Sequence, residues 1–359
     1  MKRTLALAPL LFLACGGPVA APPASPPAPT PAPVAITAAG EGEQRVADLG
    51  TCALESGERI EGCKVGFRTF GKLDAKRSNV VLFPTWFTGT TKNLVDLVPN
   101  KLVDTSKFFL VLVDALGNGV SSSPSTSEKQ PRLRFPKITI RDMVESQRRL
   151  LKEALGVEKV HTVMGISMGG MQAYEWGIAH PDDVGRIVPI VGTPQQSTQD
   201  LLLWNTELHV LDGDVAYAKG EYQGRPKIRA LQDVHWLMLS TAAHRNVETS
   251  REAFPAWLEK IESDTAFDWN DWRRQLEAML GHDVARAHGG KLDEAAKATK
   301  AKALVVVALH DQMVNPASSM AFAAAKGAKL VTLEGHCGHL ATGCEAERLR
   351  REVRAFLDE

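Results

Sequence analysis

The segment Gly165-Ile166-Ser167-Met168-Gly169 constrains the fold more strongly than any other part of this sequence. A run rich in β-forming residues at 159–164 precedes it and predicts a strand, and a helix-like stretch beginning at Met168 follows it. A serine between two glycines at a strand-to-helix turn is typical of a nucleophile elbow, which lifts the hydroxyl above the sheet. The same turn aims the Met168 amide at the position of an oxyanion. The alternative interpretation is a glycine-rich turn with a structural serine.

Strand-like and helix-like runs alternate through the rest of the folded part. Short runs rich in β-forming residues predict strands at 64–70, 79–83, 108–113, 159–164, 186–190, 303–309 and 329–333. Helical patterns lie between many of them, most clearly at 139–155, which Gly156 ends, and again at 344–357. Several strands are continuous apolar runs, as expected when helices cover both faces. The alternation predicts an α/β fold with a mostly parallel sheet and helices on both faces.

The stretch between residues 195 and 302 departs from this alternation, because it contains helical and loop-like sequence but no convincing strand. Five of the seven tryptophans lie here, at positions 204, 236, 257, 269 and 272. We expect this stretch to form a helical cap over the C-terminal edge of the sheet. The tryptophans are suited to lining an acyl or alcohol pocket, but packing between cap helices is the expected role of most of them.

A serine nucleophile needs a histidine base and a carboxylate that orients the base. In folds with such an elbow the chain order is serine, acid, histidine. The predicted strand at 303–309 leads to His310 and Asp311, so Asp311 is the candidate acid. The strand at 329–333 leads to His336 and His339, and we favour His339 as the base because His336 follows the strand too closely. A metal site made from these two histidines and the nearby cysteines lacks a second group of ligands, so we assign no metal.

The second oxyanion donor is expected from the loop that follows the predicted strand at 79–83. This loop reads PTWFTGT from Pro84 to Thr90, and the backbone amide of Phe87 is the candidate within it. Together with the Met168 amide it would form the oxyanion hole. Because both donors belong to the main chain, the side chains at these positions carry little information about the role.

The N-terminal residues predict export. Lys2 and Arg3 precede a short apolar run that ends at Cys15, followed by two glycines. This pattern predicts a lipoprotein-type signal peptide at 1–14 with Cys15 as the lipid-modified residue, and secretory cleavage near residue 20 or 21 is the alternative. Residues 15–40 are rich in proline and alanine and predict an extended linker, which leaves 41–359 as the folded domain. We expect a membrane-anchored lipoprotein facing the periplasm or the cell exterior, or a secreted protein.

The cysteine pattern agrees with export. Setting Cys15 aside leaves two sequence-local pairs, Cys52 with Cys63 and Cys337 with Cys344. Exported proteins keep disulfides that cytosolic proteins mostly lack, so we expect two bridges. Four free buried thiols are the alternative.

Charge and hydropathy limit the partners of the chain. Its 42 basic and 42 acidic residues give a formal net charge of zero, and no basic block is present to bind nucleic acid. No run of 18 apolar residues predicts a spanning helix, so contact with a membrane is expected only through the N-terminal anchor. A homodimer is compatible with the sequence.

From about residue 49 to its end, the chain resembles the homoserine O-acetyltransferase family of α/β-hydrolases and their hydrolase relatives. The resemblance rests on IRDMVESQ at 140–147, GISMGGMQAYEW at 165–176, FTG at 87–89 and GHL at 338–340. It implies an α/β-hydrolase fold with a cap at about 195–302. It also implies a Ser167–His339–Asp311 triad, an acyl-serine intermediate and ping-pong kinetics.

Two features separate this chain from the reaction that names the family. The family holds the homoserine carboxylate with an arginine of the cap, whereas Gln232 stands at the corresponding position here, with Arg225 or Arg229 as alternative cations. A neutral amide lacks the charge-assisted, bidentate grip of arginine on a carboxylate. An exported enzyme also has no evident supply of acetyl-CoA, whereas water is always available.

We therefore expect a serine hydrolase that cleaves an ester or related acyl bond of a small-molecule substrate without a cofactor. A CoA-dependent O-acyltransferase is the alternative among enzymes. A catalytically silent binding module on the same scaffold is the alternative outside them.

Overall fold

The computed structural model of the chain describes residues 40–359. The predicted signal peptide at 1–14, the lipid-modified Cys15 and all of the linker except Gly40 lie outside the described residues. Among the helices that are described, none combines the length and the hydropathy that a membrane crossing requires.

Eight of the ten strands form one mixed sheet, in the order β1-β4-β6-β5-β7-β8-β9-β10. The strands are β1 (Arg45–Asp48), β2 (Thr51–Ala53), β3 (Arg59–Glu61), β4 (Lys64–Phe70), β5 (Val80–Pro84), β6 (Phe109–Val113), β7 (Val160–Ile166), β8 (Val184–Ile190), β9 (Lys302–Ala308) and β10 (Lys329–Leu333). The six strands from β6 to β10 in this order pair in parallel. β4 pairs with β6 in antiparallel orientation, and β1 pairs with β4 in the same way. All seven predicted strands are present within two residues of their expected bounds.

The central strands are buried on both faces, which explains their continuous apolar sequences. Every residue of β5 and of β6 is buried. Successive residues of a strand point to opposite faces, and in β5 this places Val80 and Leu82 in one hydrophobic cluster and Val81 and Phe83 in another. The sheet therefore separates two cores, as the predicted layers of helices require, and the predicted fold class is confirmed.

Twelve helices connect and cover the strands in the described part of the chain. They are α1 (Thr91–Leu94), α2 (Ile140–Arg149), α3 (Met168–Ala179), α4 (Thr198–Gly213), α5 (Arg229–Leu239), α6 (Ala242–Glu248), α7 (Phe254–Glu262), α8 (Trp269–Leu280), α9 (Leu292–Ala298), α10 (Ala317–Lys326), α11 (Ala341–Cys344) and α12 (Ala346–Leu357). Between β8 and β9 the described chain contributes no strand to the sheet and contains one isolated β-bridge, between Gln195 and Asp283. The helices α4 to α9 lie in this stretch, and we call these six helices the cap.

The helix predicted at 139–155 illustrates how the sequence sets its ends. Thr139 caps α2, since its hydroxyl accepts a hydrogen bond from the Asp142 amide while the Asp142 carboxylate accepts one from the Thr139 amide. The last turn, Leu150–Ala154, is wound as a π-helix. Gly156 follows with a φ of 64°, a left-handed conformation that favours glycine.

Three short strands were not predicted, and their composition explains why. β1, β2 and β3 have only three or four residues, of which half or more are not buried, so they lack an apolar run. β2 and β3 form a separate hairpin, and the disulfide Cys52–Cys63 joins β2 to the turn after β3. The structure also contains the second expected bridge, Cys337–Cys344.

We expect the double substitution Cys52→Ala/Cys63→Ala to lower the free energy of unfolding by about 2–3 kcal/mol, because the bridge closes a loop of 11 residues in the unfolded chain. Urea unfolding of the oxidised proteins measures the difference. The double substitution Cys337→Ala/Cys344→Ala, which opens a loop of seven residues, is the matched comparison. Unchanged stability in the first variant would contradict a bridge between Cys52 and Cys63.

Candidate active site

Ser167 occupies the sharp turn between β7 and α3 in a strained backbone conformation, with φ 57° and ψ −121°. The close approach of helix and strand leaves no room for side chains on the neighbouring glycines. A Cβ atom on Gly165 would lie 2.5 Å from the carbonyl of Gly169, and one on Gly169 would lie 2.6 Å from the carbonyl oxygen of Pro84. The Ser167 amide donates to the Ile190 carbonyl of β8 over 2.8 Å, which holds the turn against the sheet.

Three side chains predicted from separate parts of the sequence meet at this turn. Ser167 Oγ lies 2.8 Å from Nε2 of His339. Nδ1 of the same ring lies 2.6 Å from Oδ2 of Asp311. All three side chains are buried. The serine hydroxyl can therefore donate to the imidazole, and the imidazole to the carboxylate, in one continuous chain of hydrogen bonds.

The parallel sheet brings the three groups together, because β7, β9 and β10 all end at the same edge. Beyond β9, the second carboxylate oxygen of Asp311 accepts hydrogen bonds from the amides of Met313 and Val314, each 2.9 Å long. Beyond β10, His339 lies in the 3₁₀ turn Gly338–Leu340, which the disulfide Cys337–Cys344 encloses. Each group thus has its own local support.

His336, the alternative base, lies elsewhere. Its ring stacks on that of His310 with 4.9 Å between the centroids, and its carbonyl accepts a hydrogen bond from the Thr241 hydroxyl. The alternative metal interpretation used the nearby cysteines, but both sulfurs are joined to each other, and His339 faces Ser167.

The two candidate oxyanion donors have no hydrogen-bond partner within residues 40–359. Met168 is the first residue of α3, where backbone amides lack intrahelical acceptors. Phe87 lies in the loop after β5, and its ring contacts Trp272 and His235 of the cap, with centroid distances of 4.8 and 5.7 Å. The next amide, that of Thr88, donates to Gln275 Oε1 of α8 over 2.9 Å. The cap thereby holds the loop over Ser167.

A buried amide network, which sequence reasoning missed, joins this loop to α3. Gln172 Nε2 donates to the carbonyls of Thr85 and Met168, both over 3.1 Å. Gln172 Oε1 accepts from Gln147 Nε2 over 2.5 Å, and Gln147 Oε1 accepts from Trp176 Nε1 over 2.9 Å. Gln172 and Gln147 are fully buried and Trp176 is 1% exposed, so the network is shielded from water. Its only sequence signal was that these residues belong to the two segments carrying the family resemblance.

A cavity of about 880 Å³ opens above Ser167 and His339, between the sheet edge and the helices α4, α5 and α8. Three of the five cap tryptophans, at positions 204, 236 and 272, line it. The other two pack against these, since Trp257 contacts Trp236 and Trp269 contacts Trp272 with centroid distances of 6.0 and 5.7 Å. Both roles considered for the tryptophans therefore occur.

The candidate substrate-binding residues differ in position. Gln232 is buried against the cavity, and its Nε2 donates to the Asp264 carbonyl over 3.0 Å. Arg229 does not line the cavity, and Nε of its exposed side chain lies 3.6 Å from Oε2 of Glu262. Gln232 and Arg229 are three residues apart on α5, but only the side chain of Gln232 faces the cavity.

Arg225 lines the cavity, and its Nη1 donates to the carbonyls of Thr265, over 3.0 Å, and of Ala266.

The cavity also contains an acidic residue that the sequence did not indicate. Asp271 of α8 is 1% exposed and accepts hydrogen bonds from the amide and the hydroxyl of Ser125, 2.9 and 2.5 Å long. Burial, together with the nearby charge of Asp268, raises the pKa of Asp271 to about 8. This carboxyl group is therefore mostly neutral at pH 7. No motif marks an isolated aspartate inside a helix, so its burial was visible only in the structure.

Known proteins are similar to this chain in sequence. A family profile described as the alpha/beta hydrolase fold matches residues 79–342. An ethyl acetate hydrolase of Pseudomonas veronii is 30% identical over 286 residues, which cover 76% of this chain and 81% of that protein. A homoserine O-acetyltransferase of Acidiphilium cryptum is 28% identical over 351 residues, which cover 85% of this chain and 92% of that protein.

Solved structures agree with the family match. The crystal structure of an acetylester hydrolase from Corynebacterium glutamicum is similar with a TM-score of 0.81 at 27% sequence identity, covering 88% of this chain and 96% of that chain. With Ser167 at the strand-to-helix turn of a mostly parallel sheet, and with the family profile spanning that turn, the chain belongs to the α/β-hydrolase family of enzymes.

Proposed function

We propose that this enzyme hydrolyses esters through a covalent acyl-serine intermediate. The observation that carries the proposal is the pair of hydrogen bonds that joins Ser167 to His339 and His339 to Asp311, over 2.8 and 2.6 Å. The ester-hydrolase names of two relatives, ethyl acetate hydrolase and acetylester hydrolase, support the same reaction class.

In the acylation step, His339 Nε2 takes the Ser167 hydroxyl proton while Oγ attacks the ester carbonyl carbon. The resulting imidazolium faces the Asp311 carboxylate, whose negative charge stabilises it. The proton then passes from Nε2 to the alcohol oxygen as the bond between the carbonyl carbon and that oxygen breaks. The alcohol leaves and an acyl-serine remains.

The tetrahedral intermediate places a negative charge on the former carbonyl oxygen. We assign its stabilisation to the amides of Phe87 and Met168, which have no partner in the described part of the chain. The Met168 amide also lies at the N-terminus of α3, where the helix dipole favours an anion. In deacylation, His339 takes a proton from water, the hydroxide oxygen attacks the acyl carbon, and Ser167 leaves with that proton restored to Oγ.

Acyl transfer to an alcohol is the second candidate, and two observations favour keeping it. One relative is a homoserine O-acetyltransferase, and Arg225 supplies a cation at the cavity wall. Product analysis distinguishes the two reactions: the enzyme is given an acetyl ester or acetyl-CoA, with and without homoserine. Acetate as the product under both conditions supports hydrolysis, whereas O-acetylhomoserine formed in preference to acetate would establish transfer.

We expect Ser167→Ala and His339→Ala each to lower kcat about 10⁴-fold or more in an ester hydrolysis assay, because each removes a member of the hydrogen-bonded chain. His336→Ala is the matched control and should retain activity near that of the unsubstituted enzyme. Labelling of Ser167 by a fluorophosphonate, located by mass spectrometry, tests the nucleophile directly. An active Ser167→Ala protein would contradict the mechanism, and an unlabelled, inactive parent enzyme would favour a silent binding module.

We expect Gln172→Leu to lower kcat about ten- to hundredfold with little change in KM. The substitution removes the amide group that bridges the carbonyls of Thr85 and Met168, so the segments carrying the two oxyanion donors are no longer held at a fixed separation. Gln199→Leu, on the exposed side of α4, is the control for the same chemical change. Steady-state kinetics are compared at a temperature where unfolding curves show both variants folded. A rise in KM at constant kcat would assign the network to substrate binding instead.

We further propose that the mature enzyme is exported and held at a membrane by a lipid on Cys15. The N-terminal sequence pattern and the two disulfides support this location. We expect Cys15→Ser to move the activity from the membrane fraction to the soluble fraction in the native host. A mature N-terminus near residue 20, found by mass spectrometry of the parent enzyme, would establish plain secretion instead.

A further inference from the structure

A second cavity, of about 470 Å³, lies next to the first and shares four lining residues with it. Half of the residues that line it have aliphatic side chains: Leu97, Leu102, Ile166, Leu340, Ala346 and Leu349. The polar side chains of His244, Glu248, Thr342 and Arg350 also line it. The mechanism derived above uses none of these residues.

The two cavities meet beside the reacting groups. Leu97, Ile166, Leu340 and Thr342 line both of them. Ile166 directly precedes the nucleophile and Leu340 directly follows the histidine base, so the second cavity begins one residue away from each. Ser167 and His339 line the larger cavity, so a chain attached to Ser167 would reach the smaller cavity past the residues that line both.

The chemical character of the two spaces differs. The larger cavity carries Arg225, Asp264, Asp268 and Asp271, which suit hydroxyl or charged groups. The smaller one offers aliphatic side chains, and an apolar space gains free energy when hydrocarbon fills it. A substrate with one polar and one hydrocarbon part therefore has a defined orientation at Ser167.

We propose that the second cavity is the subsite for the acyl chain of the substrate and that it takes an unbranched chain longer than acetyl. This inference rests on the proposed esterase function. Each methylene group placed against the aliphatic wall should raise kcat/KM about three- to fourfold. The increase should end where the chain reaches the polar side chains, so kcat/KM passes through a maximum at intermediate chain length.

Position 343 is exposed at the wall of the second cavity, so a bulky side chain can be added there without disturbing the core. Gly343 lines only the second cavity, and a Cβ atom added there meets no atom within 4 Å. Gly343→Phe therefore introduces a large side chain into open space, and Gly343→Ala is the matched control. Thr342→Phe, with Thr342→Val as its control, places a second obstruction where the two cavities meet.

The test compares two ester series on all five proteins, p-nitrophenyl esters from acetate to decanoate and alkyl acetates from methyl to octyl. We expect Gly343→Phe and Thr342→Phe to lower the hexanoate-to-acetate ratio of kcat/KM at least tenfold, and the control variants to keep it. An unchanged ratio in both phenylalanine variants would overturn the proposal. So would a loss confined to the long alkyl acetates, which would assign the cavity to the alcohol chain.

The same data separate this inference from the proposed function. If the parent enzyme hydrolyses acetate esters but shows no gain with chain length, only the acyl subsite is wrong. If it hydrolyses no ester in either series and Ser167 takes no fluorophosphonate, the esterase proposal itself fails.

Discussion

The close packing of the turn at Ser167 and the start of α3 against the ends of β5, β7 and β8 is the constraint on which the rest of the site depends. Glycines at 165, 169 and 192 allow it, since a Cβ atom at any of them would lie within 2.8 Å of backbone. Only with this approach can Ser167 take a φ of 57° and present its hydroxyl above the sheet. The strained backbone conformation of Ser167 persists because the surrounding backbone leaves this residue no other conformation.

Around this fixed point, each partner of Ser167 is held by a different kind of interaction. Asp311 is fixed by two backbone amides, and His339 by a short turn inside a disulfide loop. The loop after β5 is tied to α3 by Gln172 and to the cap by Gln275. The site is therefore built before any substrate arrives, which is the condition for stabilising charge in a transition state at no cost in reorganisation.

The sequence predicted what depends on local patterns. Buried strands appear as apolar runs, and the elbow pattern with the order serine, acid, histidine identified the residues that meet in the structure. Strands β1 to β3 were missed because short, half-exposed strands leave no periodic signal. Gln172 and Asp271 were missed because their roles come from burial and from partners 25 to 146 residues away. The position of Arg229 outside the cavity was not predictable, because a short alignment does not determine which side of a helix faces the cavity.

The choice between hydrolysis and transfer depends on how firmly the cap can hold a second substrate by its carboxylate. Arg225 is the cation that lines the cavity, but its Nη1 already donates to two backbone carbonyls. Gln232 Nε2 likewise donates a hydrogen bond to the Asp264 carbonyl. Bidentate binding of a carboxylate needs two free, parallel N–H donors. The contacts to backbone carbonyls occupy some of the N–H donors of Arg225 and of Gln232. Water requires no such grip to reach an acyl-serine, so the contacts inside the cap favour hydrolysis.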